Sequence, residues 1–475
     1  MTPRPPLLLC LLYLAPAHVA LALAFGGVAL DPAAATGFFY HSRMLAIVHL
    51  VTLGWITASI LGALYIVGPA ALRTWFRAGW LDYTAAAFVW IGVTGMVAHF
   101  WIVEYRGMAW SAAMVTIGIA AVGIRVAPPL WRAPIPAAVR THILLAFVNI
   151  AGAAVMGVLL GINKVHPFLP GFVLNNVFAH AHLAAVGWAA MMVVGVAYRL
   201  LPMVLPSQMP AGRSLWATAV LLQAGALGLF VALLLRAPVS WIFAVMIVAG
   251  FATFLGHGIW MVRHPRPRPP AIPVPETTVL HAVAAGASLA IACGLGLWLS
   301  VAELSPQTLR VAIAYGVFGL VGFLSQMVVA MKGRLLPLFA WYWASARSGG
   351  VSPVPSPHEM PWRGGQELVF VLWLFGVPAL AGGLAFDAVP FVRAAAWSLL
   401  AATLLDSAQA AIILRHAFRA AAPLGRRTKA PAGDMMGVIP PRASAPDTDG
   451  HAAERLRARD RSVLPRHPAV PEHRG

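Results

Sequence analysis

Sixteen histidines stand in a chain of 475 residues. Three of them, His49, His180 and His182, fall in the outer third of long apolar stretches. An imidazole at that depth must find a partner, and imidazole is a good axial ligand for haem iron. A haem held between two helices needs one histidine from each, facing a cleft wide enough for the macrocycle. His180 and His182 are spaced i, i+2, which sets them about 200° apart on a helix. That spacing points them into two adjacent clefts rather than at one metal. His99 and Glu104 lie together at the outer end of another stretch, as candidates for a cofactor edge or for hydrogen bonding at the interface. Asp406 is expected near the middle of the last stretch, beside Ser407 and Gln409. A carboxylate there is costly and usually functional, so Asp406 is a candidate proton relay. His18, His142 and His281 fall in the first, fifth and ninth stretches and are weaker candidates. Cys10 and Cys293 both lie in apolar sequence, so neither a disulfide framework nor a cysteine metal site is expected. No phosphate-binding loop, dinucleotide fingerprint, nucleophile elbow or zinc-protease signature interrupts the stretches.

The elements that must position these residues follow from composition. Hydrophobic residues make up 60% of the chain and charged residues 10%, against roughly 25% charged in soluble domains. The mean hydropathy is +0.79. The chain therefore reads as an all-α, polytopic membrane protein. Twelve segments are long enough to span, near 7–30, 43–70, 80–103, 108–127, 141–162, 172–205, 214–235, 239–261, 277–302, 308–337, 367–387 and 391–415.

The net charge of +18 sits in short loops and a tail, which fits cytoplasmic enrichment of Lys and Arg rather than a nucleic-acid partner. Arg73 and Arg77, then Arg125, Arg132 and Arg140, Arg199 and Arg213, Arg263, Arg266 and Arg268, and Lys332, Arg334 and Arg347 are grouped with the ends of the even-numbered segments and the loops after them, Arg199 and Arg213 surrounding the end of segment six. Both termini are thus expected in the cytoplasm, with the chain in a bacterial-type inner membrane. Residues 1–418 form the twelve-helix domain. Residues 419–475, rich in Arg, Pro and Ala, read as a disordered basic cytoplasmic tail, either near anionic lipid headgroups or solvated without a partner.

A repeat organises the apolar mass. HLVTLGWITASILGALYIVGP from His49, HLAAVGWAAMMVVGVAYRLLP from His182 and VFGLVGFLSQMVVAMKGRLLP from Val317 align without a gap. Gly54-Trp55 matches Gly187-Trp188 and Gly322-Phe323. Pro69, Pro202 and Pro337 match, and are expected to stop each helix. The copies stand 133 and 135 residues apart, or four spans. The chain therefore reads as three four-helix units in a pseudo-threefold 4+4+4 arrangement, with small residues where helices approach.

AHAHLAAVGW at 179–188, with Tyr198 and Pro202 downstream, resembles the His-x-His helix of subunit I of the haem–copper oxidases. The likeness is nearest to the cbb3-type oxidases and nitric oxide reductases. RMLAIVHLVTLGW at 43–55 resembles the second helix of that subunit, which supplies a low-spin haem ligand. The resemblance spans about residues 7–415 and includes the twelve spans and the pseudo-threefold layout. It implies a b-type haem held by His49 and His182, with His180 facing the adjacent cleft. It also implies electron transfer or gas-ligand handling, membrane lipids as surroundings, and respiratory-chain subunits or a cytochrome as partners.

In that family the His-x-His pair lies on helix ten. Here Tyr315 and Val317 hold the matching positions, and the pair sits on helix six. A third of a turn about the pseudo-axis converts the family's pairing of helices ten and two into helices two and six. The family's helix seven carries adjacent copper-binding histidines. SLWATAVLLQAGALGLFVALLL at 214–235 has none, so the resemblance implies haem without a recognisable copper centre and an incomplete reductase site. The same residues also resemble the NnrS membrane family, linked to haem, copper and nitric-oxide stress. A cofactor-free transporter, or an assembly partner of a respiratory oxidase, is the other reading. A threefold repeat argues against transporter designs built from two halves.

Overall fold

Backbone polar groups have no water to bond within a bilayer, so apolar stretches of this length close their hydrogen bonds inside helices. In a computed structural model, residues 4–267, 276–348 and 354–418 are described. Among them, twelve helices are long and apolar enough to cross a membrane. They are α1 Leu7–Leu30, α2 Ser42–Ala70, α3 Trp80–Trp101, α4 Met108–Trp131, α5 Ala137–Asn163 and α6 Val173–Val204. The second half comprises α7 Ser214–Leu235, α8 Ser240–Arg263, α9 Thr277–Leu299, α10 Pro306–Ser348, α11 Arg363–Ala385 and α12 Val389–Phe418. The one β pairing among the described residues is an isolated bridge between Ser207 and Pro265. The chain divides into two units, Met1–Ala422 and Pro423–Gly475. The expected tail at 419–475 and Arg268 lie outside the described residues.

Two expectations about α10 need correction. Pro337 does not stop the helix, which continues to Ser348. A proline inside a helix removes one backbone bond and costs about 3 kcal/mol. Downstream burial offsets that cost: Phe339 and Ala340 are fully buried, and Trp343 Nε1 donates to Pro5 O at 3.1 Å. Lys332, grouped above with the loop charges, lies inside α10 with its side chain only 9% exposed. By contrast, α2 and α6 do end just beyond Pro69 and Pro202.

The repeat has a structural counterpart. α2, α6 and α10 each widen into a π-helical stretch, at Leu50–Thr57, Leu183–Ala190 and Val317–Ser325. These stretches occupy corresponding positions in the aligned copies. A π-turn displaces backbone carbonyls and is enriched at functional sites. The displaced groups are used here: Asn149 Nδ2 donates to Gly187 O at 2.8 Å, and Ser325 Oγ to Leu320 O at 2.8 Å.

At the centre of each stretch a glycine lets a neighbour approach. A Cβ on Gly54 would stand 2.6 Å from Ala20 Cβ on α1. One on Gly187 would stand 2.9 Å from Asn149 Cβ on α5, and one on Gly322 2.8 Å from Ser288 Cβ on α9. The three widened stretches also touch one another, and Trp188 Nε1 donates to Thr57 Oγ1 at 3.1 Å. Around them α4 packs on α5, α8 on α9 and α12 on α1. The two ends of the described membrane unit lie together: Pro5 meets Trp343, and Phe418 O accepts from Arg347 at 3.2 Å.

Candidate functional site

His49 and His182 are each the last α-helical residue before a widened stretch. Their rings are half-buried, as is that of His180. His49 Nδ1 lies 2.7 Å from Leu45 O, and His182 Nδ1 2.8 Å from Phe178 O. A carbonyl only accepts, so the proton sits on Nδ1 and the Nε2 lone pair faces away from the helix. That is the tautomer an iron ligand needs. The same bond to the carbonyl four residues back also forms at His18, His142 and His264. It prepares a ligand without singling one out.

His180 differs, because its Nδ1 reaches across to Ala153 O on α5 at 2.8 Å. Gly157 makes room for it: a Cβ there would stand 3.1 Å from His180 Cε1. His180 and His182 therefore do face different neighbours, α5 and α10. His182 Nε2 accepts the Tyr315 hydroxyl at 3.1 Å, with the two rings stacked 5.9 Å apart. His49 packs against Phe100 on α3, with ring centres 5.1 Å apart. Among the described residues no three His, Cys, Asp or Glu side chains come together as a metal site. His49 and His180 each turn Nδ1 to a backbone carbonyl and leave Nε2 as the acceptor nitrogen. His182 offers its Nε2 only if Tyr315 gives way.

Aromatic residues gather at this end of the bundle. Lys164, just after α5, stands over Tyr40 at 4.5 Å and Tyr105 at 5.2 Å, and Ser42 and Tyr105 share a hydrogen bond. His41 caps α2, its Nδ1 accepting from Met44 N–H at 3.3 Å. Burial and the Arg43 charge hold its pKa below the ordinary imidazole value, which keeps it a neutral acceptor. His99 and Glu104 do meet. His99 Nδ1 donates to the Glu104 backbone carbonyl at 2.8 Å, while the Glu104 carboxylate accepts from Arg106 N–H at 2.9 Å. These bonds tie down the turn between α3 and α4.

A second constellation lies toward the other end. Asp406 on α12 pairs with Lys332 on α10, and both side chains are nearly closed off, at 13% and 9% exposure. Lys332 Nζ also donates to His18 Nε2 on α1 at 2.8 Å. His18 in turn lies 3.7 Å from Asp406 and edge-on to Trp55, with ring centres 5.1 Å apart. Lys332 sits 5.9 Å above the same indole. Asp406 was legible as a costly membrane carboxylate. Its partners are not evident in the sequence: Lys332 groups with the loop charges, and His18 falls outside the repeat register. The available signal was the six residues from Lys332 to the repeat's closing Pro337, which place the lysine inside the span.

Comparison with protein-family models and with curated proteins finds no match for this chain.

Proposed function

We propose that this chain is a haem–copper oxidase subunit I-like membrane protein that binds a b-type haem between α2 and α6. The observation that carries the reading is the placement of His49 and the His180-His182 pair. Both sites sit at the mouths of matching π-helical stretches, with imidazole tautomers set for a metal. Three four-helix units about a pseudo-threefold axis are supported by the recurring stretches and glycine contacts.

His49 and His180 are the residues that would hold the group, because Tyr315 already engages His182. The carbonyls of Leu45 and Ala153 keep both rings oriented and raise the basicity of the ligating nitrogens. Phe100 and the aromatic end wall exclude water from one side. A haem held by these two histidines would supply one-electron transfer, and gas-ligand handling would require one of them to leave the iron. The setting proposed is a bacterial-type inner membrane with both termini cytoplasmic, beside respiratory-chain subunits or a cytochrome. The basic residues near the shared end of the termini, such as Arg199, which donates to Ala71 O at 3.0 Å, support that orientation.

The NnrS-like reading rests on the same histidines and differs in copper. The accessory or transport reading requires neither group. A pyridine-haemochrome assay with metal analysis on the purified protein separates them. Haem b without copper supports the proposal, haem with copper favours the NnrS-like reading, and absence of both favours the cofactor-free one.

A further inference from the structure

The Lys332–Asp406 pair stands beside water-sized space. A cavity of about 30 Å³ is lined by Thr277, Thr278, His281, Gln366, Lys332 and Asp406, among others. A second cavity of about 40 Å³ shares Thr277, Thr278, Gly333 and Gln366 with the first. It extends toward Arg334 and His358. Each is large enough for one or more waters, which need roughly 10–15 Å³ and polar partners. At the rim Arg334 donates to His358 Nδ1 at 2.8 Å and lies 3.7 Å from Glu276. Polar side chains thus run from the rim to the ion pair along the faces of α9, α10, α11 and α12, set among apolar residues such as Val329, Leu336, Val369 and Ile413.

Lipid-facing packing does not require this arrangement. A buried ion pair is weak evidence for stability, because desolvation offsets much of its attraction. Ionisable groups paired inside a membrane commonly mark a proton or ion path. The neighbours here are specific. Asp406 faces Lys332 from α10 and His18 from α1. His281 from α9 accepts from Gln326 at 3.4 Å and lines the same cavity. The aromatic wall is Trp55 from α2. Glu276, Arg334, His358, Arg363 and Glu367 are the charged and titratable groups at the rim.

We infer that His18, Lys332 and Asp406 form a proton-binding site within the bilayer, reached by water from the bundle end that holds both termini. At rest the site is a carboxylate, an ammonium and a neutral imidazole, with no net charge. A proton delivered by water passes to Asp406 Oδ2 and makes it a neutral acid. Lys332 keeps its three protons and turns to His18 Nε2, which already accepts from it. The site then carries one positive charge, and release returns the proton to the same water. The step needs no oxidant and no haem, so it stands apart from the redox reading.

Infrared difference spectroscopy of the full chain in liposomes tests this. Acid titration of the wild type should raise a protonated-carboxyl band that Asp406→Asn removes. Lys332→Met should show that band already at neutral pH, because a buried carboxylate without its cation takes up a proton. In heavy water the band should shift, and adding Thr278→Val or Gln366→Leu should slow the shift by about tenfold or more. If Lys332→Met does not fold, acid titration of the wild type and of the lining variants reads the same quantities. The inference is overturned if no carboxyl band depends on Asp406. It is equally overturned if exchange at Asp406 is indifferent to the lining residues.

Discussion

Lys332 and Asp406 show how much one pair can commit a membrane protein. Removing one member of a buried pair leaves an uncompensated charge, at a cost of about 3–5 kcal/mol. Asp406→Leu is therefore expected to lower the detergent-unfolding midpoint strongly. Lys332→Met with Asp406→Leu should regain most of the loss; a double variant no better than the single would contradict the pairing. The histidines permit an equally local test. If His180 is the second axial ligand, Tyr315→Phe leaves a low-spin haem spectrum intact while His180→Ala abolishes it. A spectrum that survives His180→Ala and is lost in His182→Ala would assign the position to His182. At this scale the sequence singled out His49, His180, His182 and Asp406 because polar groups are rare in such apolar surroundings. It left Tyr315 unassigned as a partner, since its contact with His182 spans 133 residues and depends on how α6 meets α10.

The spans were legible as elements because a bilayer permits little besides a helix over so long an apolar run. Their π-helical stretches were not. A one-residue widening leaves the hydropathy pattern nearly unchanged and is stabilised by distant donors such as Asn149. Pro337 misled for a related reason: its local cost is outweighed by tertiary burial of Phe339. The repeat glycines were found by alignment, and the contacts with α1, α5 and α9 explain them. Gly54→Val should force α1 from α2, because the added Cβ would stand 2.6 Å from Ala20 Cβ. A loss of about 1–3 kcal/mol is expected, as for other overpacked sites. Thermal stability in detergent measures it, and an unchanged midpoint would show that α1 is free to shift.

At the scale of the whole molecule, twelve spans return the chain to the side on which it began. The contacts of Pro5 with Trp343 and of Phe418 with Arg347 agree with that count. Reporter fusions at the two ends should give the same sidedness in intact cells. With the basic residues gathered at that end, both reporters should read cytoplasmic. Opposite sidedness would require one span to be lost. The two constellations, histidines toward one end and the ion pair toward the other, lie on the same repeat helices and their neighbours. The proposed haem site and the proposed proton site would therefore share one scaffold without sharing residues.

The most direct test of the haem assignment is the visible spectrum of the purified chain after haem-sufficient expression, beside that of His49→Ala. The account predicts low-spin Soret and alpha bands in the wild type, and their loss in a His49→Ala protein that still elutes as a folded species. A wild-type protein with neither band, or a His49→Ala protein that keeps both, would contradict it.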